Sequence, residues 1–263
     1  MILQDIINII ESVAPLSYQE DWDNSGLQVG NRNAEIKAAL LTVDVTESVV
    51  NEAILLGCDL IISHHPLLFR GLKQLTGSTP QERCVEQAIR HNIAIYSAHT
   101  SMDSYLHGVS GRMAEKLGVD NYRILIPSAG DMQVGLGVIG ELQEAMDNEA
   151  FVAHVANVFA APSAPLRWVE GAKKTVKKVA ICGGAGAEFV EQAIAQGADA
   201  YISADFKYHE LQSAYQRITV VDMDHWVSEH FTREIFEELL SAHVTTYIAK
   251  TDNSPVRFWK QEY

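Results

Sequence analysis

Cysteine is scarce and scattered in this chain. Cys58, Cys84 and Cys182 are its three. No two stand in a C-x-x-C pair, which argues against a thiolate zinc knuckle or a paired redox site. An odd, dispersed set reads as buried, reduced thiols in a reducing compartment. Long apolar runs are missing too, and none approaches the ~20 residues of a bilayer-spanning helix. The opening MILQDIINIIESVAP lacks the basic flank of a secretory leader, so a soluble, cytoplasmic protein with no membrane partner is expected. Positive charge is in short supply: 20 Lys and Arg stand against 34 Asp and Glu, a formal net charge of −14. Such a surface repels nucleic-acid phosphates and anionic membranes, and nucleic acid is not an expected partner. A phosphorylated small molecule stays admissible, because bound cations would invert the local field.

What is present is ordinary globular material, 47% hydrophobic and 21% charged over 263 residues, enough for one large domain or two compact ones. Residues 3–13 carry an amphipathic helical pattern, followed by a polar loop from Tyr18 to Gly30. Ala38–Val43, Leu60–Ser63 and Ile93–Ser97 read as strands; Glu47–Leu56, Glu82–His91 and Val109–Leu117 read as helices, the first and last closed by Gly57 and Gly118. This alternation predicts parallel β-α-β units. Residues 132–168 are less patterned, with a glycine-spaced strand (Val134–Ile139), a helix (Glu149–Phe159) and a Pro-containing turn.

An internal repeat organises the chain. Without a gap, N-E-A-I-L-L-G-C-D-L-I-I-S-H-H, ending at His65, aligns with E-Q-A-I-A-Q-G-A-D-A-Y-I-S-A-D, ending at Asp205. Ala53 meets Ala193, Gly57 meets Gly197, Asp59 meets Asp199 and Ser63 meets Ser203. One strand later His99-x-x-x-Asp103 meets His225-x-x-x-Glu229. The expectation is two related α/β halves, residues 1–125 and 126–263, with helices on mixed, largely parallel sheets.

The chemistry gathers at strand ends, where parallel α/β sheets place their ligands. His64 and His65 precede Pro66; on extended backbone they point to opposite sides and address two metal ions, or one metal and a substrate. Asp103 follows the next strand end. His225 and Glu229, four residues apart in the first turn of a helix, share one face. Capping accounts for Asp224 and Glu229 but does not call for His225. Three imidazoles and two carboxylates suit zinc, iron, manganese, cobalt or nickel, and a pair of such ions activates water. His99 reads as a proton carrier or a partner of the ligands, and His209 as a second candidate proton carrier. Asp205, in the place of the paired histidines, reads as a substrate contact or a polar loop. Asp21 to Asn24 line the crevice or form a turn, the turn being the favoured reading, and Gly183-Gly184-Ala185-Gly186 weakly resembles a phosphate-binding loop.

In combination, E-D-W-D-N-S-G-L-Q-V-G, D-L-I-I-S-H-H-P-L-L-F, A-H-T-S-M-D, Y-I-S-A-D-F-K-Y-H-E and D-H-W-V-S-E resemble the Nif-three-like family over almost the whole chain. Its members are commonly called GTP cyclohydrolase 1 type 2 homologues. The resemblance implies two interlinked α/β halves and two divalent metal ions at His64, His65, Asp103, His225 and Glu229. It also implies a ring-shaped homohexamer. Ser101-Met102, Ala204 and Asp224-His225-Trp226 depart from the family's usual pattern without removing a ligand. The expected function is a metal-dependent hydrolase opening a purine nucleotide with activated water; the alternatives are a dinuclear phosphoesterase and a non-catalytic metal-binding adaptor or trafficking protein.

Overall fold

The computed structural model describes residues 1–128, 131–159, 165–257 and 259. Along the chain run α1 (Leu3–Glu11), β1 (Gly26–Val29), β2 (Ala38–Thr42), α2 (Glu47–Leu56), β3 (Leu60–Ser63), α3 (Pro80–Arg90), β4 (Ala94–Ser97) and α4 (Thr100–Asp103). Next come α5 (Val109–Leu117), β5 (Val119–Ser128), β6 (Asp131–Asp147), α6 (Asn148–Phe159), β7 (Arg167–Val169), β8 (Thr175–Ala185), α7 (Val190–Ala195) and β9 (Ala200–Ala204). The last are α8 (Tyr208–Ala214), β10 (Thr219–Met223), α9 (His225–Glu229), α10 (Thr232–Leu240) and β11 (Thr245–Ile248). No described helix is long and apolar enough to cross a membrane. The Pro-containing turn expected after Phe159 falls largely on residues 160–164, outside the described residues.

Two compact units result, one of Met1–Ser104 with His230–Asn253, the other of Tyr105–Glu229 with Ser254–Tyr263. The repeat divides the sequence near residue 125, whereas packing divides the chain in three places, after Ser104, Glu229 and Asn253. β5 pairs with β6 and so joins the second sheet, while β11 returns to pair with β2 in the first.

The first unit has a five-stranded sheet in the order β1-β4-β3-β2-β11, parallel except where β1 meets β4. β2, β3 and β4 are buried at every residue, as strands covered on both faces must be. Leu40, Ile61 and Ile95 pack with Val49, Val50 and Ala53 of α2 and with Cys84 and Ala88 of α3. On the other face Tyr96 hydrogen-bonds Glu11 of α1, and α10 packs on β2. α1 buries Leu3, Ile6, Ile7 and Ile10, the apolar stripe of its 3.6-residue period.

The second unit has a six-stranded sheet in the order β5-β6-β8-β9-β10-β7. β8, β9 and β10 are parallel and β5, β6 and β7 are added antiparallel. β6 is much longer than its apolar stretch Val134–Ile139 because its exposed, polar ends pair within the antiparallel ribbon, where hydrophobic alternation carries no signal. All three cysteines are buried and outside any disulfide among the described residues, and burial pushes the Cys58 and Cys84 thiols up to about 11.

The repeated Gly-x-Asp has one structural role in both units. Gly57 and Gly197 close their helical segments with φ of 68° and 79°, the left-handed conformation that glycine adopts at least cost. Two residues on, Asp59 Oδ2 accepts the amides of Lys37 and Ala38, and Asp199 Oδ2 those of Lys177 and Lys178. Each aspartate thereby satisfies donors at the start of the preceding strand. Burial raises the Asp199 pKa, but its bond to Lys173 and the two amides outweigh this and hold it below the usual value. A depressed folded-state pKa supplies stability that is present above about pH 4 and lost as the carboxylate is protonated. Asp199→Asn is therefore expected to cost roughly 1–3 kcal/mol at neutral pH. Its gap to the wild type should narrow as pH falls from about 5 to about 3; chemical denaturation across that range checks this, and a constant gap contradicts it.

Candidate metal centre

In the first unit the donors stand just beyond the carboxyl ends of β2, β3 and β4. After Ser63 the chain bends, although the amides of His64 and His65 still reach the carbonyls of Thr42 and Val43 at 3.1 and 2.9 Å. A straight strand would send the two imidazoles to opposite sides, as expected from sequence. The bend breaks that alternation and the rings converge, with centroids 5.0 Å apart. His64, His65 and His99 each offer a ring nitrogen within 4.8 Å of the others.

Each ring is oriented through Nδ1. Fully buried His64 donates to the carbonyl of Ala98 at 3.0 Å. His65 donates to Asp44 Oδ1 at 2.9 Å, and His99 to Asp23 Oδ1 at 2.8 Å. A carbonyl or an ionised carboxylate can only accept, so the hydrogen of each neutral ring sits on Nδ1 and the lone pair on Nε2. Asp23 has no exposed side-chain surface and also accepts from the amide and hydroxyl of Thr100. Burial raises its pKa, but His99 and Thr100 more than compensate, holding the carboxyl well below the usual carboxylate range. Asp103, one helical turn after His99, brings Oδ1 to 3.7 Å from His64 Nε2. Two donors about 2.0–2.2 Å from one divalent ion lie roughly 3–3.5 Å apart, close to that separation.

The second unit repeats the plan at the ends of β9 and β10. His225 opens α9 and Glu229 closes it, with Nε2 and Oε2 2.9 Å apart. Asp224 accepts the amide of Val227, the capping role that sequence allowed it. Asp205 Oδ2 takes the Nδ1 hydrogen of His225 at 2.7 Å. Asp205 holds φ at 61°, which Asp tolerates better than most residues. Glu229 is almost wholly buried.

The Gly-Gly-Ala-Gly segment does not act as a phosphate loop. β8 runs through it to Ala185, and the Gly183 and Gly184 amides donate to Ser110 and Ser228. Its glycines make room instead: a Cβ on Gly184 (φ 64°) would stand 2.1 Å from Glu229 Oε1 and 3.5 Å from His225 Cε1. His209 lies exposed on α8, with Nδ1 3.2 Å from Gln212 Oε1. Sequence reading missed Asp44 as an orienting group, preferred a turn to a crevice position for Asp23 and gave Asp205 no partner. Their carboxylates reach rings 21, 76 and 20 positions away, and no local spacing encodes that.

These features define an α/β protein whose strand ends carry imidazole and carboxylate donors suited to divalent cations, each imidazole preset by a second hydrogen bond. The chain belongs to the Duf34/NIF3 (NGG1p interacting factor 3) family, whose model matches residues 1–255. A relative from Clostridium perfringens named GTP cyclohydrolase 1 type 2 homolog is 34% identical, covering 98% of this chain and all of the relative. Among solved structures, the Bacillus cereus protein related to NIF3 matches with a TM-score of 0.88 at 25% identity, over 98% of this chain and 99% of that one. Reduced HcgD from Methanocaldococcus jannaschii matches with a TM-score of 0.80 at 28% identity, over 95% and 98% of the two chains.

Gly184→Ala is expected to strain the backbone and push the Glu229 carboxylate from its seat, lowering stability by roughly 1–3 kcal/mol. Equilibrium denaturation measures this, and wild-type stability in the variant would contradict the cradle.

Proposed function

We propose that the chain holds two divalent cations through His64, His65 and Asp103 of the first unit and His225 and Glu229 of the second, and that it hydrolyses a purine nucleotide. One observation carries this reading: His64, His65, His99 and His225 all commit Nδ1 to an acceptor, which leaves Nε2 as the donor atom of the neutral ring. Metal-ligating histidines are held in this way, with the partner most often a carboxylate or a backbone carbonyl, as at all four rings here. The donor set is hard to borderline, fitting zinc, iron, manganese, cobalt or nickel, and the cysteines lie buried in the cores instead. Such cations, when bound, polarise water towards attack at neutral pH and neutralise charge developing on the substrate. The name carried by the relatives, GTP cyclohydrolase 1 type 2 homolog, supports a purine nucleotide as the substrate class.

The chain's own residues supply orientation and proton transfer. Asp44 and Asp205 hold the planes of His65 and His225. Asp23, kept ionised, holds the Nδ1 hydrogen of His99, so His99 takes or returns a proton at Nε2. His209 on its exposed helix pairs with the Gln212 amide and, among the described residues, with no carboxylate, and His99 is the better proton carrier.

The test begins with the metal content of the purified chain and turnover of GTP. His64→Ala with His65→Ala is expected to lose bound metal and activity together; a double variant with its full metal content would sink the assignment. Stoichiometric metal with no turnover of GTP or simple phosphoesters would favour an adaptor role. Asp205→Asn keeps a residue suited to left-handed backbone but weakens the hold on His225. It is expected to reduce metal affinity about 10–100-fold, read by competition with a chelator, and an unchanged affinity would remove Asp205 from the site.

A further inference from the structure

Beside His99, two large aromatic side chains stand in solvent. Trp22 is 59% and Phe69 46% exposed, which forgoes the free energy their burial would supply. Their ring centroids are 6.0 Å apart with planes inclined at 57°, and both rings stand steeply inclined to His99, with centroids 6.0 Å away for Trp22 and 6.5 Å for Phe69. The two loops that carry them are laced together. Asn24 Nδ2 donates to the carbonyl of Leu68 at 2.6 Å, Leu68 N to Gln28 Oε1 at 2.6 Å, and Gln28 Nε2 to the carbonyl of Asn24 at 2.5 Å. Asp23, next to Trp22, is bound to His99 and Thr100. The rings are thus held at the donor cluster, since the His99 ring also stands near-perpendicular to those of His64 and His65, with centroids 5.3 and 5.4 Å away. Arg70 and Lys73, exposed on the Phe69 loop, make no hydrogen bond or ion pair among the described residues. In a chain of net charge −14, unpaired cations beside an aromatic pair suit an anionic, planar guest.

We infer that Trp22 and Phe69 form a stacking platform for the purine ring of a nucleotide, with Arg70 and Lys73 facing its phosphates. The inference rests on the purine-nucleotide reading above and adds where the ring binds. The inclined planes let a flat guest stack on one ring and meet the other edge-on, in either case within reach of His99. Stacking is tolerant of base identity, so the platform supplies affinity and position, and discrimination among purines falls to other groups.

The experiment uses the full chain, with metal content, tryptophan fluorescence and equilibrium dialysis as readouts and GTP, guanosine and tripolyphosphate as probes. Trp22→Ala and Phe69→Ala are each expected to retain wild-type metal content, bind GTP at least about tenfold more weakly, and bind tripolyphosphate unchanged. Trp22→Phe should recover most of the lost affinity, as a ring contact but not a specific indole contact would. Arg70→Ala with Lys73→Ala should weaken GTP and tripolyphosphate together and leave guanosine unaffected. Wild-type GTP affinity in Trp22→Ala overturns the platform, as does equal loss of GTP and tripolyphosphate, or a metal-loaded wild type that binds no GTP. If Trp22→Ala leaves GTP binding intact but changes the sedimentation of the protein, the rings belong to a contact between subunits instead. A chain that binds GTP through Trp22 yet holds no metal keeps the platform and overturns the metal assignment alone.

Discussion

His64 donates through Nδ1 to the carbonyl of Ala98, and this one buried bond ties the end of β3 to the end of β4. The strands are already in register there, Ser63 opposite Ser97, with their hydroxyls 2.7 Å apart. Ser63 also donates to the carbonyl of His65, so the turn that follows is held from below. A slip of one residue in this pairing would turn every side chain to the other face, and strands buried on both faces cannot tolerate it. Hydrophobic register in the core therefore becomes ring orientation at the rim. The precision of the imidazoles is inherited from the Leu, Ile and Ala residues that fix the strands beneath them.

The second unit reaches a similar end by another route. Up to Ser203 it repeats the first residue for residue in its turns and aspartate anchors. Where the first continues into His64 and His65, the second continues into Ala204 and Asp205. The left-handed backbone at Asp205 aims its carboxylate at His225, so one repeat uses this strand end to supply donors and the other uses it to aim a donor from the neighbouring strand. The Gly184 cradle completes that arrangement by giving the Glu229 carboxylate a place no larger residue would leave.

Much of the scaffold was legible in the sequence because its signals are local. Helix Glu47–Leu56, strand Leu60–Ser63 and helix Val109–Leu117 have the limits expected from period, cap and glycine stop, and the Gly-x-Asp repeat marked two equivalent turns. The histidines, Asp103 and Glu229 were visible because strand ends are where such side chains gather. The convergence of His64 and His65 was not, since it depends on a bend after Ser63 that residue type does not announce. Asp23, Asp44 and Asp205 were hidden for a related reason: an aspartate in a polar loop looks the same whether it faces water or an imidazole. The division into units was also obscured, because repetition in sequence follows descent whereas compactness follows pairing.

The return of the chain to its first sheet has a consequence for how the protein is made. β11 closes the edge of β2, and Asp252 accepts the amide of Val43 from 209 positions away. While the ribosome is still translating the second sheet, the N-terminal unit has an open strand edge and lacks α10, which packs on β2. Such unpaired edges invite wrong partners during synthesis. The unit encoded first is thus among the last to be completed, and a nascent chain released early would lose the half it had finished translating.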